Sequence, residues 1–166
     1  MKRGVALFPG SFDPITKGHV ELLRISLNIF DKVIVGVGNN SSKRYMFSVG
    51  DRVEMVNLAC EECGLSGKVE VIEYGGLTVE LCRRFGIGVI VRGVRTQSDF
   101  QFEYDIAVNN YMMAPEIQTI FIPSPPHLAN IRSSIVRELI NLGADLSFCL
   151  PSSVINFIRS KYGRNG

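Results

Sequence analysis

Five short runs rich in β-branched residues recur along the chain: Val5 to Phe8, Val33 to Val37, Val69 to Ile72, Val89 to Val91 and Thr119 to Ile122. They read as buried parallel strands, covered on both faces rather than half exposed, although Glu70 interrupts the third and Thr119 opens the fifth. Between them lie segments with helical spacing, Val20 to Phe30, Asp51 to Cys63, Thr78 to Phe85 and Phe102 to Met113. Parallel neighbours need such crossovers, so the alternation predicts an α/β fold, a doubly wound parallel sheet of about five strands with helices on both faces. Ser48 and Asp51 read as a capping pair for the second helix, and Gly64-Leu65-Ser66-Gly67 as its end. With 166 residues, 46% of them hydrophobic and 20% charged, one domain over 1–166 with one core is expected. No internal repeat or low-complexity linker interrupts it.

Charge narrows the partners. Eighteen basic residues stand against sixteen acidic ones, a net +2 too even for a surface that coats a polyanion, so no nucleic-acid partner is expected. No apolar run reaches the roughly 18 residues of a membrane span. The N-terminus moves into a strand without a signal-like segment, so the reading is cytoplasmic with no membrane partner. Cys60-Glu61-Glu62-Cys63 has a spacing used in redox and metal sites, but it lies in a helical stretch with no second pair or nearby histidine. Its flanking glutamates oppose a thiolate, so ordinary reduced thiols are expected and a redox protein is the weaker alternative.

In an open α/β sheet the ligand crevice lies beyond the carboxyl ends of the strands, where strand order reverses. Leu7-Phe8-Pro9-Gly10-Ser11-Phe12-Asp13-Pro14-Ile15-Thr16-Lys17-Gly18-His19 runs from a strand through a Gly/Pro turn into a helix opening on Gly-His. Free amides of that helix's first turn favour an anion, and Ser11 and His19 add a hydroxyl and an imidazole. Lys43 falls after the second strand, Arg92 and Arg95 after the fourth and Ser133 after the fifth, so four further positions converge on the same edge. Ser133-Ser134 before Ile135 to Leu139 reads as the cap of an amphipathic helix whose amides suit a triphosphate. A GxxxxGK[ST] loop is absent, and Gly86-Ile87-Gly88 lacks the third glycine of a dinucleotide fingerprint.

Gly10-Ser11-Phe12-Asp13-Pro14 with Thr16-Lys17-Gly18-His19 resembles the signature of the (T/H)xGH nucleotidyltransferases. Lys43-Arg44-Tyr45-Met46-Phe47, Arg92-Gly93-Val94-Arg95, Asp99-Phe100-Gln101-Phe102-Glu103 and Ile131-Arg132-Ser133-Ser134 follow in order. Together they resemble the bacterial phosphopantetheine adenylyltransferase family nearly end to end. The resemblance implies a Rossmann-like nucleotidyltransferase fold and transfer of the adenylyl group of ATP to 4′-phosphopantetheine, giving dephospho-coenzyme A and pyrophosphate. It implies Mg²⁺ with the ATP, a homohexamer and feedback by coenzyme A.

The family pattern makes His19, Lys43 and Arg92 catalytic, with His19 at the α-phosphate and Lys43 and Arg92 on the acceptor phosphate. Ser11 and Thr78 join the last two in binding the acceptor, Thr78 less securely because a threonine starting a helix is often its cap. The ATP set carried over is Ser11, Phe12, His19, Gly93, Val94, Arg95, Glu103, Leu128, Ala129, Asn130, Ile131, Arg132, Ser133 and Ser134. Two positions depart from the pattern: Arg132 stands where relatives have a serine, and Leu128 where an aromatic is common. An added positive charge for the β- or γ-phosphate is the expected role of Arg132. Two alternatives stay open from sequence: a related nucleotidyltransferase with another phosphate acceptor, and a non-catalytic nucleotide sensor.

Overall fold

A computed structural model describes residues 4–163. Its elements run β1 (Val5–Gly10), α1 (Lys17–Ile29), β2 (Lys32–Gly38), α2 (Val49–Glu62), β3 (Val69–Tyr74), α3 (Thr78–Phe85), β4 (Val89–Val94), α4 (Gln97–Met113), β5 (Gln118–Pro123), a 3-10 turn (Pro126–Leu128), α5 (Ser133–Leu142) and α6 (Ser152–Tyr162). The five strands form one parallel sheet in the order β3-β2-β1-β4-β5. The chain builds outward from β1 to β3, crosses back, and builds the other way through β4, so order reverses between β1 and β4.

Alternation along each strand divides the core between the two faces. Ala6, Phe8, Val33, Val35 and Val91 meet α1, α2, α5 and α6 on one side. Leu7, Ile34 and Ile90 meet Val79, Leu81, Cys82 and Ile117 on the other, in a smaller cluster. The smaller face is covered in part by α4, seventeen residues long with Asn110 its buried residue. Ser48 caps α2 as read, accepting from Asp51 N at 3.2 Å.

The structure corrects three local readings. β4 continues to Val94, paired with Pro123 of β5, so Arg92, Gly93 and Val94 lie within the strand and only Arg95 follows it. The residue before α5 is Arg132, with no side-chain cap, because the Ser133 hydroxyl donates to the Pro14 carbonyl at 3.0 Å instead. Thr78 likewise does not cap α3, which starts after Leu77; its hydroxyl lies 3.2 Å from Tyr74 Oη.

Helix α6 was not foreseen. It seats Val154, Ile155 and Ile158 in the larger cluster. Lys161 Nζ and Tyr162 Oη both donate to the buried carboxylate of Asp51. Burial alone would raise that carboxyl, but the hydrogen bonds from Lys161, Tyr162 and Ser48 hold it below its ordinary value.

Candidate active site

Two cavities adjoin at the carboxyl ends of the strands, on either side of the β1–β4 reversal. They share Pro9, Gly10, Ser11 and Arg92 as a common ridge. The larger, about 440 Å³, opens toward β2 and β3 and is lined by Gly38, Asn40, Lys43, Tyr45, Tyr74 and Thr78 among others. The smaller, about 210 Å³, lies between the first turn of α1 and β4 and is lined by Phe12, His19, Leu22, Gly93, Arg95, Glu103, Leu128, Ile131 and Ser133.

His19 sits three residues past the Thr16 cap, and the pair satisfy each other. Thr16 Oγ1 accepts from His19 N at 3.4 Å while Thr16 N donates to His19 Nδ1 at 3.1 Å. An Nδ1 that accepts a backbone N–H carries its lone pair there, so the neutral ring's proton is on Nε2, the nitrogen left for a ligand. Burial, then the positive charges of Arg95 and Arg92, push the imidazole down to about 4. His19 is therefore a neutral hydrogen-bond donor at neutral pH. Phe12 holds the ring from behind with centroids 5.1 Å apart, and is itself buried with a left-handed φ of 46°. That backbone, costly for a bulky residue, turns the chain between Ser11 and the helix.

Arg92 is fixed on both sides. Its Nε and Nη2 donate to the two oxygens of Glu103 at 2.5 and 2.7 Å, and Nη1 donates to the Pro9 carbonyl at 2.6 Å. A guanidinium has five N–H groups, so two remain for a ligand at the ridge. Glu103 thus meets Arg92 directly, a contact the sequence reading, which placed it on the nucleotide, did not anticipate. Arg95 donates to Asp99 at 2.7 Å and to the Ile131 carbonyl at 3.3 Å, tying the end of β4 to the segment before α5. Gly93 permits the close packing here: a Cβ on it would lie 2.3 Å from Leu22 Cδ1.

Of the 128–134 segment, Leu128, Ile131 and Ser133 face the smaller cavity, while Ala129, Asn130, Arg132 and Ser134 flank it without lining it, as does Val94. Lys43 projects from the exposed loop after β2 on the opposite side of the ridge.

Sequence reasoning missed Tyr45, Tyr74 and Asn110. Asn110 is 8% exposed and lines the larger cavity, with its side-chain amide unpartnered among the described residues. The available signal was a polar residue one turn after Ile106 on the inward face of α4. Among the described residues no group of three or more metal-ligating side chains assembles. Cys60 is buried, and desolvation, then the neighbouring Cys63, push its thiol up to about 11. The expected reluctance of that thiol holds, with burial rather than the flanking glutamates as its cause.

The free amides expected at the start of α1 are largely taken, Lys17 N donating to the Cys149 carbonyl at 2.9 Å and His19 N to Thr16 Oγ1. The switch point of the parallel sheet therefore presents a neutral imidazole donor beside paired arginines, the donor set a nucleotidyltransferase needs for phosphates. Residues 7–139 match the family model described as cytidylyltransferase-like. The chain superposes on a Vibrio parahaemolyticus protein described as a nicotinate-nucleotide adenylyltransferase with a TM-score of 0.73 and 19% identity, covering 96% of this chain and 93% of the other. For a bifunctional NMN adenylyltransferase/ADP ribose pyrophosphatase from Francisella tularensis the values are 0.72 and 18%, with 95% and 50% covered. Both likenesses are of fold. The phosphopantetheine adenylyltransferase of Borrelia hermsii is 44% identical over 159 residues, 95% of this chain and 96% of its own. That of Heliobacterium modesticaldum is 40% identical over 159 residues, 96% and 93%. The chain belongs to the phosphopantetheine adenylyltransferase family.

Proposed function

We propose that the protein joins ATP and 4′-phosphopantetheine across the ridge, with the nucleotide in the smaller cavity and the acceptor in the larger. It transfers the adenylyl group of ATP to the acceptor phosphate, releasing pyrophosphate and dephospho-coenzyme A in coenzyme A biosynthesis. The observation that carries the arrangement is the shared wall of Ser11 and Arg92. Two ligands filling adjoining cavities meet there, which suits one phosphate attacking another.

Such a transfer needs positioning and charge stabilisation more than covalent help. The reading gives Lys43 and the two free N–H groups of Arg92 to the acceptor phosphate, screening its charge as its oxygen approaches the α-phosphorus. His19 Nε2–H donates to the α-phosphate as negative charge builds, and the depressed basicity of the ring keeps it a hydrogen-bond donor rather than an acid. Arg95, Arg132 and the first amides of α5 take the leaving pyrophosphate. Ser11 Oγ makes no hydrogen bond to His19, which lines the same cavity and whose Nδ1 is held by Thr16, and this argues against an adenylyl-serine intermediate.

Mg²⁺ is read as part of the Mg²⁺–ATP substrate. The carboxylate in the nucleotide cavity, Glu103, is engaged by Arg92, so the ion keeps substrate oxygens and water as ligands. We read the chain as one nucleotidyltransferase domain of the cytoplasm; no helix among the described residues is long and apolar enough to cross a membrane. A homohexamer is supported by α4, whose Phe102 and Met112 stand 64% and 76% exposed beside Phe100, Tyr104 and Tyr111. Coenzyme A carries the same arm as the acceptor, which supports feedback by competition for the larger cavity. Incubation with Mg²⁺–ATP and either 4′-phosphopantetheine, nicotinate mononucleotide or glycerol phosphate, followed by mass detection, tests the reading. Dephospho-coenzyme A from the first alone is expected; turnover only with another acceptor overturns it.

A further inference from the structure

Arg52 has no exposed surface and does not line either cavity, yet its side chain reaches the floor of the site. Both hydrogens of Nη1 are used: one goes to the Ser11 carbonyl at 2.6 Å and the other to the Gly38 carbonyl at 2.8 Å. Those carbonyls stand at the carboxyl ends of the neighbouring strands β1 and β2. The guanidinium carbon lies 3.9 Å from the centroid of the Tyr45 ring, a stacked cation–π contact that is strong when desolvated. Tyr45 Oη in turn accepts from Asn40 N at 3.1 Å, and the Asn40 carbonyl accepts from Lys43 N at 3.0 Å. A continuous chain of contacts therefore runs from Arg52 to the ridge on one side and to the Lys43 loop on the other.

Arg52 is an expensive way to hold two loops together. Its Nε and Nη2 have no hydrogen-bond partner, and no carboxylate lies within ion-pair distance of it among the described residues. Burial of this cation is offset only in part, by its two carbonyl acceptors, the Tyr45 ring and the more distant charges of Asp13 and Glu73, and a packed apolar residue would fill the same space without the remaining cost. The guanidinium offers what an apolar residue does not: one planar group that fixes two carbonyls and an aromatic face at once.

We propose that Arg52 is a positioning residue for the acceptor phosphate, setting the span between Ser11 and the Lys43 loop through Tyr45. The inference rests on the reading that the acceptor occupies the larger cavity. Of the groups Arg52 holds, Gly38, Tyr45, Asn40 and Lys43 all line that cavity, and only Ser11 is shared with the nucleotide. The KM for the acceptor should therefore suffer more than the KM for ATP.

Steady-state kinetics of Arg52→Lys, Tyr45→Leu, their combination and Lys43→Ala test this. Lysine keeps the charge but neither stacks nor reaches two carbonyls in plane, so the acceptor KM should rise about tenfold or more while the ATP KM stays within about twofold. Tyr45→Leu, at a half-buried position outside the core, should move the same constant, and the double variant should be no worse than the worse single one. Because Tyr45 itself lines the larger cavity, a raised acceptor KM in Tyr45→Leu supports the role of Arg52 only where Arg52→Lys adds nothing to it in the double variant; if Arg52→Lys does not fold, Arg52→Met, which fills the space without a buried charge, takes its place in the same cycle. An acceptor KM unmoved in Tyr45→Leu and Arg52→Lys, or one that moves in step with the ATP KM, overturns the role of Arg52 while a raised KM in Lys43→Ala leaves the pocket assignment standing. An unmoved acceptor KM in Lys43→Ala overturns the pocket assignment and the inference with it.

Discussion

Replacing Gly93 with alanine adds one methyl at the point where β4 passes α1. That Cβ would sit 2.3 Å from Leu22 Cδ1, and ordinary contact begins at 3.4 Å, so the leucine or the helix must retreat by about 1 Å. Leu22 is 5% exposed and lines the smaller cavity, so its retreat goes into that cavity or carries the His19 helix with it. Overpacking of this kind costs about 1–3 kcal/mol, against about 0.4–1 kcal/mol regained from a less flexible unfolded chain. The clash wins, and a net loss near 1–2 kcal/mol in a chain of this length lowers Tm by about 2–8 °C. The ATP KM should rise by about threefold to thirtyfold, with the acceptor KM much less affected. Thermal melts and steady-state kinetics of Gly93→Ala, Leu22→Ala and the double variant form the assay. Because the new methyl refills space vacated by the leucine, the double variant should be more stable than the sum of the singles by about 1 kcal/mol. A Gly93→Ala protein with wild-type Tm and ATP KM, or strict additivity, would mean that Leu22 does not limit the space at Gly93.

Other outcomes follow from the site. With only two histidines in the chain, an NMR titration should find His19 near 4, rising when ATP offsets Arg92 and Arg95; a midpoint near the ordinary 6.5 in the free protein contradicts the neutral-donor assignment. Since the unfolded chain takes this proton at the ordinary value and the folded one does not, the His19 contribution leaves stability intact above 6.5 and erodes it as pH falls toward about 4. Arg132→Ser should weaken ATP binding by about threefold to tenfold, as loss of one half-buried charge-assisted contact would; unchanged affinity and turnover reject its role at the phosphates. Cys60 should resist a thiol reagent at pH 8 in the folded protein, and a Cys60→Ser/Cys63→Ser variant should keep its activity; fast labelling of Cys60 or loss of turnover would revive a redox reading.

The central strands β1 and β2 were legible because burial on both faces writes itself as unbroken apolar runs, whereas the edge strands β3 and β5, also read as buried, are mostly half exposed or exposed because each has a neighbour on one side only. The site's first edge was legible because Gly10, Ser11 and His19 stand at a strand-to-helix turn. What escaped depended on partners distant in sequence. The end of β4 is set by Pro123 on another strand, so Arg92 to Val94 could not be seen as strand from their own composition. Ser133 looked like a cap, and only its distance to the Pro14 carbonyl shows where its hydroxyl goes. Helix α6 is short and mixed in polarity, and its anchoring by Asp51 pairs residues more than a hundred positions apart. Arg52 read as one more helix arginine; nothing local marks it as fully buried, because its partners Ser11, Gly38 and Tyr45 are brought together by the sheet.

In the proposed reaction the two substrates meet directly over Ser11 and Arg92, with no enzyme-bound adenylyl group between them. The stereochemical course at the α-phosphorus tests it most directly. Using ATP made chiral at that atom with sulfur in place of one oxygen, 4′-phosphopantetheine as acceptor, and phosphorus NMR of the product, the account predicts inversion of configuration. Retention would require two displacements through a covalent intermediate, and would contradict it.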